Sequence, residues 1–176
     1  TETIDIAHSH YALTQSYEML GDLDRALRHA WETHRVYEDL DLPVERAHAL
    51  NSLGWCLART GDLDAGREYC EKSLAEHRTI DCQPGVASAL DSLGYIAMEQ
   101  GDAGAAVGHY RETVELYERI GSPGLASGSW EDLGNAHEAA GDLDAARKAW
   151  LTALELMRSQ RRTTDADRLE EKLSRR

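Results

Sequence analysis

The sequence predicts an all-α fold, an α-solenoid of four helix–turn–helix repeats followed by a C-terminal capping helix. The first observation is a Gly-Asp pair that recurs with a constant period of 40 residues, beginning at positions 21, 61, 101 and 141. The second is the i, i+3, i+4, i+7 spacing of apolar residues within each repeat, which is typical of one helical face. The third is that all three prolines fall where one repeat meets the next. A fixed period of this length indicates a stack of repeats, each in contact with its neighbours.

The second repeat shows how each element is predicted. Pro43 begins the first helix, helix A, because the first turn of a helix needs no N–H from proline. Gly61 ends it as a left-handed residue, and Asp62 then caps the second helix, helix B. The buried stripe of helix A is expected to consist of Ala47, Leu50, Leu53, Gly54 and Leu57. The same pattern places the four repeats at about 4–40, 44–80, 84–120 and 124–160, all within residues 1–160.

The remaining residues, 163–176, are predicted to form the capping helix. Ala166, Leu169 and Leu173 make a narrow apolar stripe on an otherwise charged segment. A helix of this kind covers the face that the last repeat of a solenoid would otherwise expose.

These repeats resemble the tetratricopeptide repeat (TPR). The resemblance is carried by the spacing of large and small residues in the fourth repeat, which are Trp130, Leu133, Gly134, Gly141, Ala146, Trp150 and Ala153. It implies a right-handed superhelix whose A helices line a concave groove. The period of 40 residues exceeds the family's usual 34, and we interpret this difference as a lengthening of both helices.

A narrower resemblance concerns the segments 49–78, 89–102 and 141–157. They are similar to the C-terminal repeats of actinobacterial regulators of the Streptomyces antibiotic regulatory protein (SARP) type, in which a DNA-binding domain and an NB-ARC ATPase domain precede the repeats. The resemblance implies a sensory or regulatory role. The chain begins at Thr1, not Met, so it is expected to be a fragment of a longer protein. Neither DNA-binding nor ATP-binding motifs occur here, so neither activity is assigned to this chain.

Charge and composition exclude several classes of protein. The formal net charge is −13, and residues 158–176 carry a local +3, which leaves −16 on residues 1–157. Such an acidic chain is not expected to bind nucleic acid. Cys56, Cys70 and Cys82 form neither a CxxC motif nor an even set, so reduced thiols and a cytoplasmic location are expected. No apolar run is long enough to predict a membrane span.

No enzyme, cofactor or metal site is predicted. The sequence contains no nucleophile elbow, P-loop or HExxH motif. His8 and His10 are two residues apart, so they point to different sides of a helix and do not chelate together. His77 stands where the other repeats have Tyr37, Tyr117 and Met157, and it is therefore expected to fill the core.

The predicted partner-binding residues lie beside the core stripe of each helix A. They are Tyr11, Gln15, His48, Asn51, Trp55, Arg59, Asp91, Tyr95, Glu99, Glu131, Asn135 and Glu138. Exposed aromatic residues are typical anchors of an interface. The alternative that Trp55 and Tyr95 simply pack on the neighbouring repeat is equally compatible with the spacing.

The expected partner is a protein or peptide segment, including segments of other domains of the same parent chain. The expected function is a bacterial protein–protein interaction module that regulates transcription. The alternative is a free-standing receptor for a small ligand or a signalling peptide. An upstream winged-helix and P-loop segment in the full-length protein would separate the two.

Overall fold

The computed structural model describes residues 2–175, which form nine α-helices and no strand. The prediction of an all-α fold built from helical repeats is confirmed. The helices are α1 (Glu2–Met19), α2 (Leu23–Glu38), α3 (Pro43–Arg59), α4 (Leu63–Thr79), α5 (Gln83–Glu99), α6 (Ala103–Ile120), α7 (Pro123–Ala139), α8 (Leu143–Ser159) and α9 (Thr163–Ser174). In the part of the chain that the structure describes, no helix has the length and apolar character needed to cross a bilayer.

The Gly-Asp pairs form the turn inside each repeat. Each glycine has a positive φ, between 75° and 100°, which costs a residue without a Cβ little. The aspartate that follows accepts a hydrogen bond from the backbone N–H three residues later, and so caps the next helix. The four aspartates accept from the backbone N–H groups of Arg25, Ala65, Ala105 and Ala145 at N···O distances of 2.9–3.2 Å, and they are Asp22, Asp62, Asp102 and Asp142, respectively.

The described residues fall into two compact units, which divide between Ile96 and Ala97, inside α5. In the N-terminal unit, one apolar cluster joins α2 and α3 through Ala26, Ala30, Leu53, Cys56 and Leu57. The five residues predicted for the stripe of α3 are all buried.

The C-terminal unit has its own core. One cluster centres on Tyr110, Val114 and Leu133, and another joins α8 and α9 through Trp150, Met157 and Leu169, among others. Leu169 is fully buried and Leu173 is partly buried against the same cluster, so the apolar stripe of α9 packs on α8.

Small residues allow helices A and B of a repeat to approach closely. A Cβ placed on Gly54 would lie 2.6 Å from Sγ of Cys70 and 2.8 Å from the carbonyl oxygen of Gly66. Gly134 faces the Trp150 ring in the same way, with the closest ring atom only 2.3 Å from the added Cβ. The close contact between helices A and B is thus made by glycine against cysteine in the second repeat and by glycine against tryptophan in the fourth.

Candidate functional site

Five of the predicted binding residues line one cleft of the N-terminal unit. This cleft, here called the aromatic cleft, has a volume of about 150 Å³. Helices α1, α3 and α5 supply its walls. The lining residues are Tyr11, Gln15, Glu18, His48, Asn51, Ser52, Trp55 and Ser88.

Trp55 and Tyr95 meet at the edge of this cleft. Their ring centroids are 4.9 Å apart with an interplanar angle of 61°, the edge-to-face arrangement that aromatic pairs prefer. The Arg59 guanidinium lies 5.2 Å from the centroid of the Trp55 ring and 6.0 Å from that of Tyr95. Both rings are half-buried, so they pack on each other and still present area to solvent.

Asn51 lies one helical turn before Trp55. Its Oδ1 atom is buried and has no hydrogen-bond donor among the described residues. A carboxamide offers an acceptor and two donors, which is the complement of a peptide unit. A buried acceptor without a partner costs free energy, so rotation of the Asn51 carboxamide toward an incoming N–H would be favourable.

The floor of the cleft near α1 contains a desolvated carboxyl group. Glu18 accepts a hydrogen bond from the Cys56 thiol, with an Sγ···Oε1 distance of 3.2 Å. Burial raises the pKa of Glu18, and this hydrogen bond partly offsets the rise. Burial also raises the pKa of Tyr11. Burial also strongly raises the pKa of the Cys56 thiol. Because the thiolate is the reactive form, this cysteine is not a nucleophile.

The predicted residues of the C-terminal unit are engaged by α9. Arg168 contacts both carboxylate oxygens of Glu131, at 2.6 and 2.7 Å. Lys172 donates to Oδ1 of Asn135 at 2.6 Å and lies 3.6 Å from Glu138. Two basic side chains of the C-terminal segment are thus paired with polar and acidic side chains of α7.

Two further predicted residues lie on α5. Asp91 is half-buried within the N-terminal unit, whereas Glu99 is exposed at the end of the helix. Five of the predicted groove residues thus line the cleft of the N-terminal unit, three of the C-terminal unit contact α9, and Arg59, Asp91, Tyr95 and Glu99 belong to neither set.

The structure also shows features that the sequence pattern did not reveal. The ring of Trp31 on α2, 41% exposed, contacts Tyr69 on α4 edge-on, with centroids 5.6 Å apart. A second cleft of about 310 Å³ is lined by His8, Tyr11, Tyr37, Glu45 and His48, and we call it the tyrosine cleft. Because these residues come from three helices, no spacing along one helix could have identified them.

Sequence comparison identifies the repeats. Profiles of the tetratricopeptide repeat match residues 7–30, 45–119 and 92–163, which together cover most of the chain. The chain belongs to the tetratricopeptide repeat family. Such proteins are typically scaffolds without catalytic activity, and their fold is typical of protein–protein interaction. The search of curated proteins gave no match.

Several solved structures have the same fold at low sequence identity. BtubC (BKLC) from P. vanneervenii is 19% identical with a TM-score of 0.76, over 89% of this chain and 65% of its own. Aspartyl phosphate phosphatase F from Bacillus subtilis is 10% identical with a TM-score of 0.82, over 91% of this chain and 42% of its own. A putative kinesin light chain from Podosopora anserina, with nearly identical TPR-like repeats, is 14% identical with a TM-score of 0.73, over 95% of this chain and 92% of its own. The chain therefore spans less than two thirds of the first two proteins.

Proposed function

We propose that this TPR chain is a non-enzymatic protein-interaction module that binds a partner segment at the aromatic cleft. We further propose that it is the sensory or regulatory C-terminal region of a larger, cytoplasmic bacterial transcription regulator of the SARP type. The partner is then a segment of another protein or of another domain of the same parent chain. This chain itself does not bind nucleic acid or membrane.

The observation that carries the proposal is the arrangement of Trp55, Tyr95, Arg59 and Asn51. The two rings supply apolar area, and the guanidinium and the carboxamide supply directional contacts beside them. Interface hot spots are enriched in tryptophan, tyrosine and arginine. The acidic charge of residues 1–157 favours a basic or amphipathic segment as the occupant.

The test compares Trp55→Ala with Trp31→Ala. Both variants remove an indole ring, but only Trp55 lies in the aromatic cleft, whereas Trp31 lies on α2 outside it. The probe is a synthetic amphipathic helical peptide with lysines on its polar face. Affinity is measured by fluorescence anisotropy of the labelled peptide, and stability by thermal unfolding.

We expect Trp55→Ala to weaken binding by about 2 kcal/mol or more, in the range of hot-spot residues, and to leave the melting temperature nearly unchanged. Trp31→Ala should leave affinity unchanged. If Trp55→Ala instead costs about 3–5 kcal/mol of stability, the ring is a core residue and the cleft is not the site. A loss of binding in Trp31→Ala alone would move the interface to the surface formed by α2 and α4.

The tyrosine cleft favours a second candidate function, a free-standing receptor for a small ligand or signalling peptide. Its volume of about 310 Å³ is at the lower end for small-molecule pockets, and Tyr11 and Tyr37 give it aromatic walls. Tyr11→Ala would affect both clefts and Tyr37→Ala would remove a core side chain, whereas His8→Ala changes an exposed residue of this cleft alone. Native mass spectrometry of the purified chain would test the idea, because a bound small molecule should be present and should be lost in His8→Ala.

A further inference from the structure

We propose that His48, His77 and Cys82 form a binding site for a soft divalent metal ion, with zinc as the preferred occupant. One nitrogen of each histidine and the sulfur of Cys82 all lie within 4.8 Å of one another. The site draws on α3, on α4 and on the turn between α4 and α5, all in the N-terminal unit. This site revises the expectation that His77 only fills the core.

His77 carries the first argument. Its side chain is fully buried, yet neither ring nitrogen has a hydrogen-bond partner among the described residues. A buried imidazole normally satisfies at least one nitrogen, because leaving both without a partner forfeits the hydration that each loses on folding. The His48 ring lies against it, with centroids 4.6 Å apart and an interplanar angle of 61°. A metal ion between them would satisfy a nitrogen of each ring.

Comparison with the preceding repeat carries the second argument. The equivalents of His48, His77 and Cys82, 40 residues earlier, are His8, Tyr37 and Leu42. The earlier set includes a tyrosine and a leucine, which suit an apolar core. In the second repeat the tyrosine is replaced by His77 and the leucine by Cys82, and both of these residues bind soft metals. Their ligand atoms lie within 4.8 Å of each other.

Gly85 carries the third argument. A Cβ on this residue would lie 2.2 Å from two atoms of the His77 ring, so only glycine allows the ring to take its position. The residue 40 positions earlier is Glu45. The chain therefore makes room for a histidine whose nitrogens it does not otherwise use.

The chemistry of the three ligands selects the ion. Two imidazole nitrogens and one thiolate favour Zn²⁺ or Co²⁺ over Mg²⁺ or Ca²⁺, which prefer oxygen ligands. Tetrahedral zinc, with bonds of about 2.0–2.3 Å, would bring the ligand atoms to roughly 3.3–3.7 Å from one another. The present separations, of up to 4.8 Å, must therefore shrink by about 1 Å when the ion binds. Three protein ligands leave a fourth position for water or for an atom of a bound molecule.

Binding would release the proton of the Cys82 thiol, which becomes a thiolate bonded to the metal. The other two cysteines, Cys56 and Cys70, are buried, and burial raises the pKa of Cys70 to about 12. Cys82 is only partly buried, so it is the thiol that a reagent can reach. Its alkylation therefore reports on the site without any substitution.

The first experiment titrates the chelator-treated chain with Zn²⁺ by calorimetry. We expect one equivalent to bind, and we expect Cys82→Ser and His48→Gln each to weaken binding by at least about 100-fold, which exceeds the usual effect of changing a residue that only contacts a metal ligand. His137→Gln, a histidine of the C-terminal unit, is the matched control and should bind like the parent. Equal affinity in Cys82→Ser and in the parent would overturn the proposal.

The second experiment replaces zinc with Co²⁺. A thiolate-to-cobalt charge-transfer band and the strong visible bands of four-coordinate cobalt are expected in the parent, and the charge-transfer band should disappear in Cys82→Ser. Binding instead at His10 and His29, whose Nδ1 atoms are 2.8 Å apart, would give no sulfur band and would overturn the assignment.

The third experiment needs no variant. Zinc should slow the alkylation of Cys82 in the parent chain and should raise its thermal stability. At a free zinc concentration 100 times the dissociation constant, the ratio of folded to unfolded chain should rise about 100-fold. Unchanged alkylation and an unchanged melting temperature at saturating zinc would overturn the proposal, even if a variant proved too unstable to study.

Discussion

At the scale of single residues, the contact between Gly134 and the Trp150 ring shows how a missing side chain positions a large one. The Trp150 side chain is 2% exposed, and its Nε1 donates to Oδ1 of Asn135 at 3.1 Å. Lys172 lies over the ring, with its Nζ 4.2 Å from a ring centroid. The ring is therefore held from several sides and cannot move away from a new methyl group.

We expect Gly134→Ala to lower the free energy of unfolding by about 1–3 kcal/mol, the usual cost of overpacking a core. The control is Gly128→Ala on the same helix, where an added Cβ meets nothing within 4 Å. That change should instead raise stability by up to about 1 kcal/mol, because alanine favours a helix over glycine. Urea denaturation of both variants checks the pair, and equal effects would show that the glycine contact is unimportant.

The side chains of the candidate sites were only partly predictable from the sequence. Register placed Trp55 and Tyr95 at equivalent positions on α3 and α5, and the two rings do meet. Register could not decide between anchor and packing residue, because side-chain tilt rather than helix position sets how much of each ring stays exposed. The group of His48, His77 and Cys82 escaped notice for another reason, since it joins three elements that no single helical spacing relates.

At the scale of elements, the repeat pattern predicted most of what the structure shows. The Gly-Asp turns and the aspartate caps follow from the conformational demands of a left-handed residue and of unpaired N–H groups. The pairing of Arg168 with Glu131, and of Lys172 with Asn135, was not predictable. These contacts depend on how long side chains of α9 reach α7, which hydrophobic spacing does not encode.

Helix α9 gives the prediction that belongs to this scale. Deleting residues 163–176 removes Leu169, which is fully buried, together with the salt bridge to Glu131. The apolar face of α8 should then be exposed, so we expect a lower melting temperature and concentration-dependent association. Calorimetry and sedimentation velocity measure the two effects.

The control for this deletion keeps the apolar contact and removes only the charges, as Arg168→Gln with Lys172→Gln. The Glu131 side chain is only 12% exposed, so this variant should lose some stability, but it should remain monodisperse because the apolar face of α8 stays covered. A truncated chain as stable and as monodisperse as the parent would contradict the capping role of α9.

At the scale of the whole molecule, the net charge of −13 is the dominant property. Long-range attraction between this charge and a basic segment speeds their encounter, and salt screens it beyond a Debye length of about 8 Å at physiological ionic strength. The association rate of a lysine-rich amphipathic peptide should therefore fall as salt rises, while its dissociation rate changes little.

Stopped-flow fluorescence at several salt concentrations measures both rates. A peptide with glutamine in place of lysine is the control, and its association rate should be nearly independent of salt. Duplex DNA should not bind. Tight DNA binding by this chain, or a salt-independent rate for the lysine peptide, would contradict the electrostatic account.

The division between Ile96 and Ala97 has a spectroscopic consequence. Each side of it carries two of the four tryptophans, Trp31 and Trp55 before it and Trp130 and Trp150 after it. Trp150 is buried and should emit at shorter wavelength than Trp31, whose ring reaches water. Variants that retain one indole each can therefore time the melting of the two halves separately by intrinsic emission, without an attached dye.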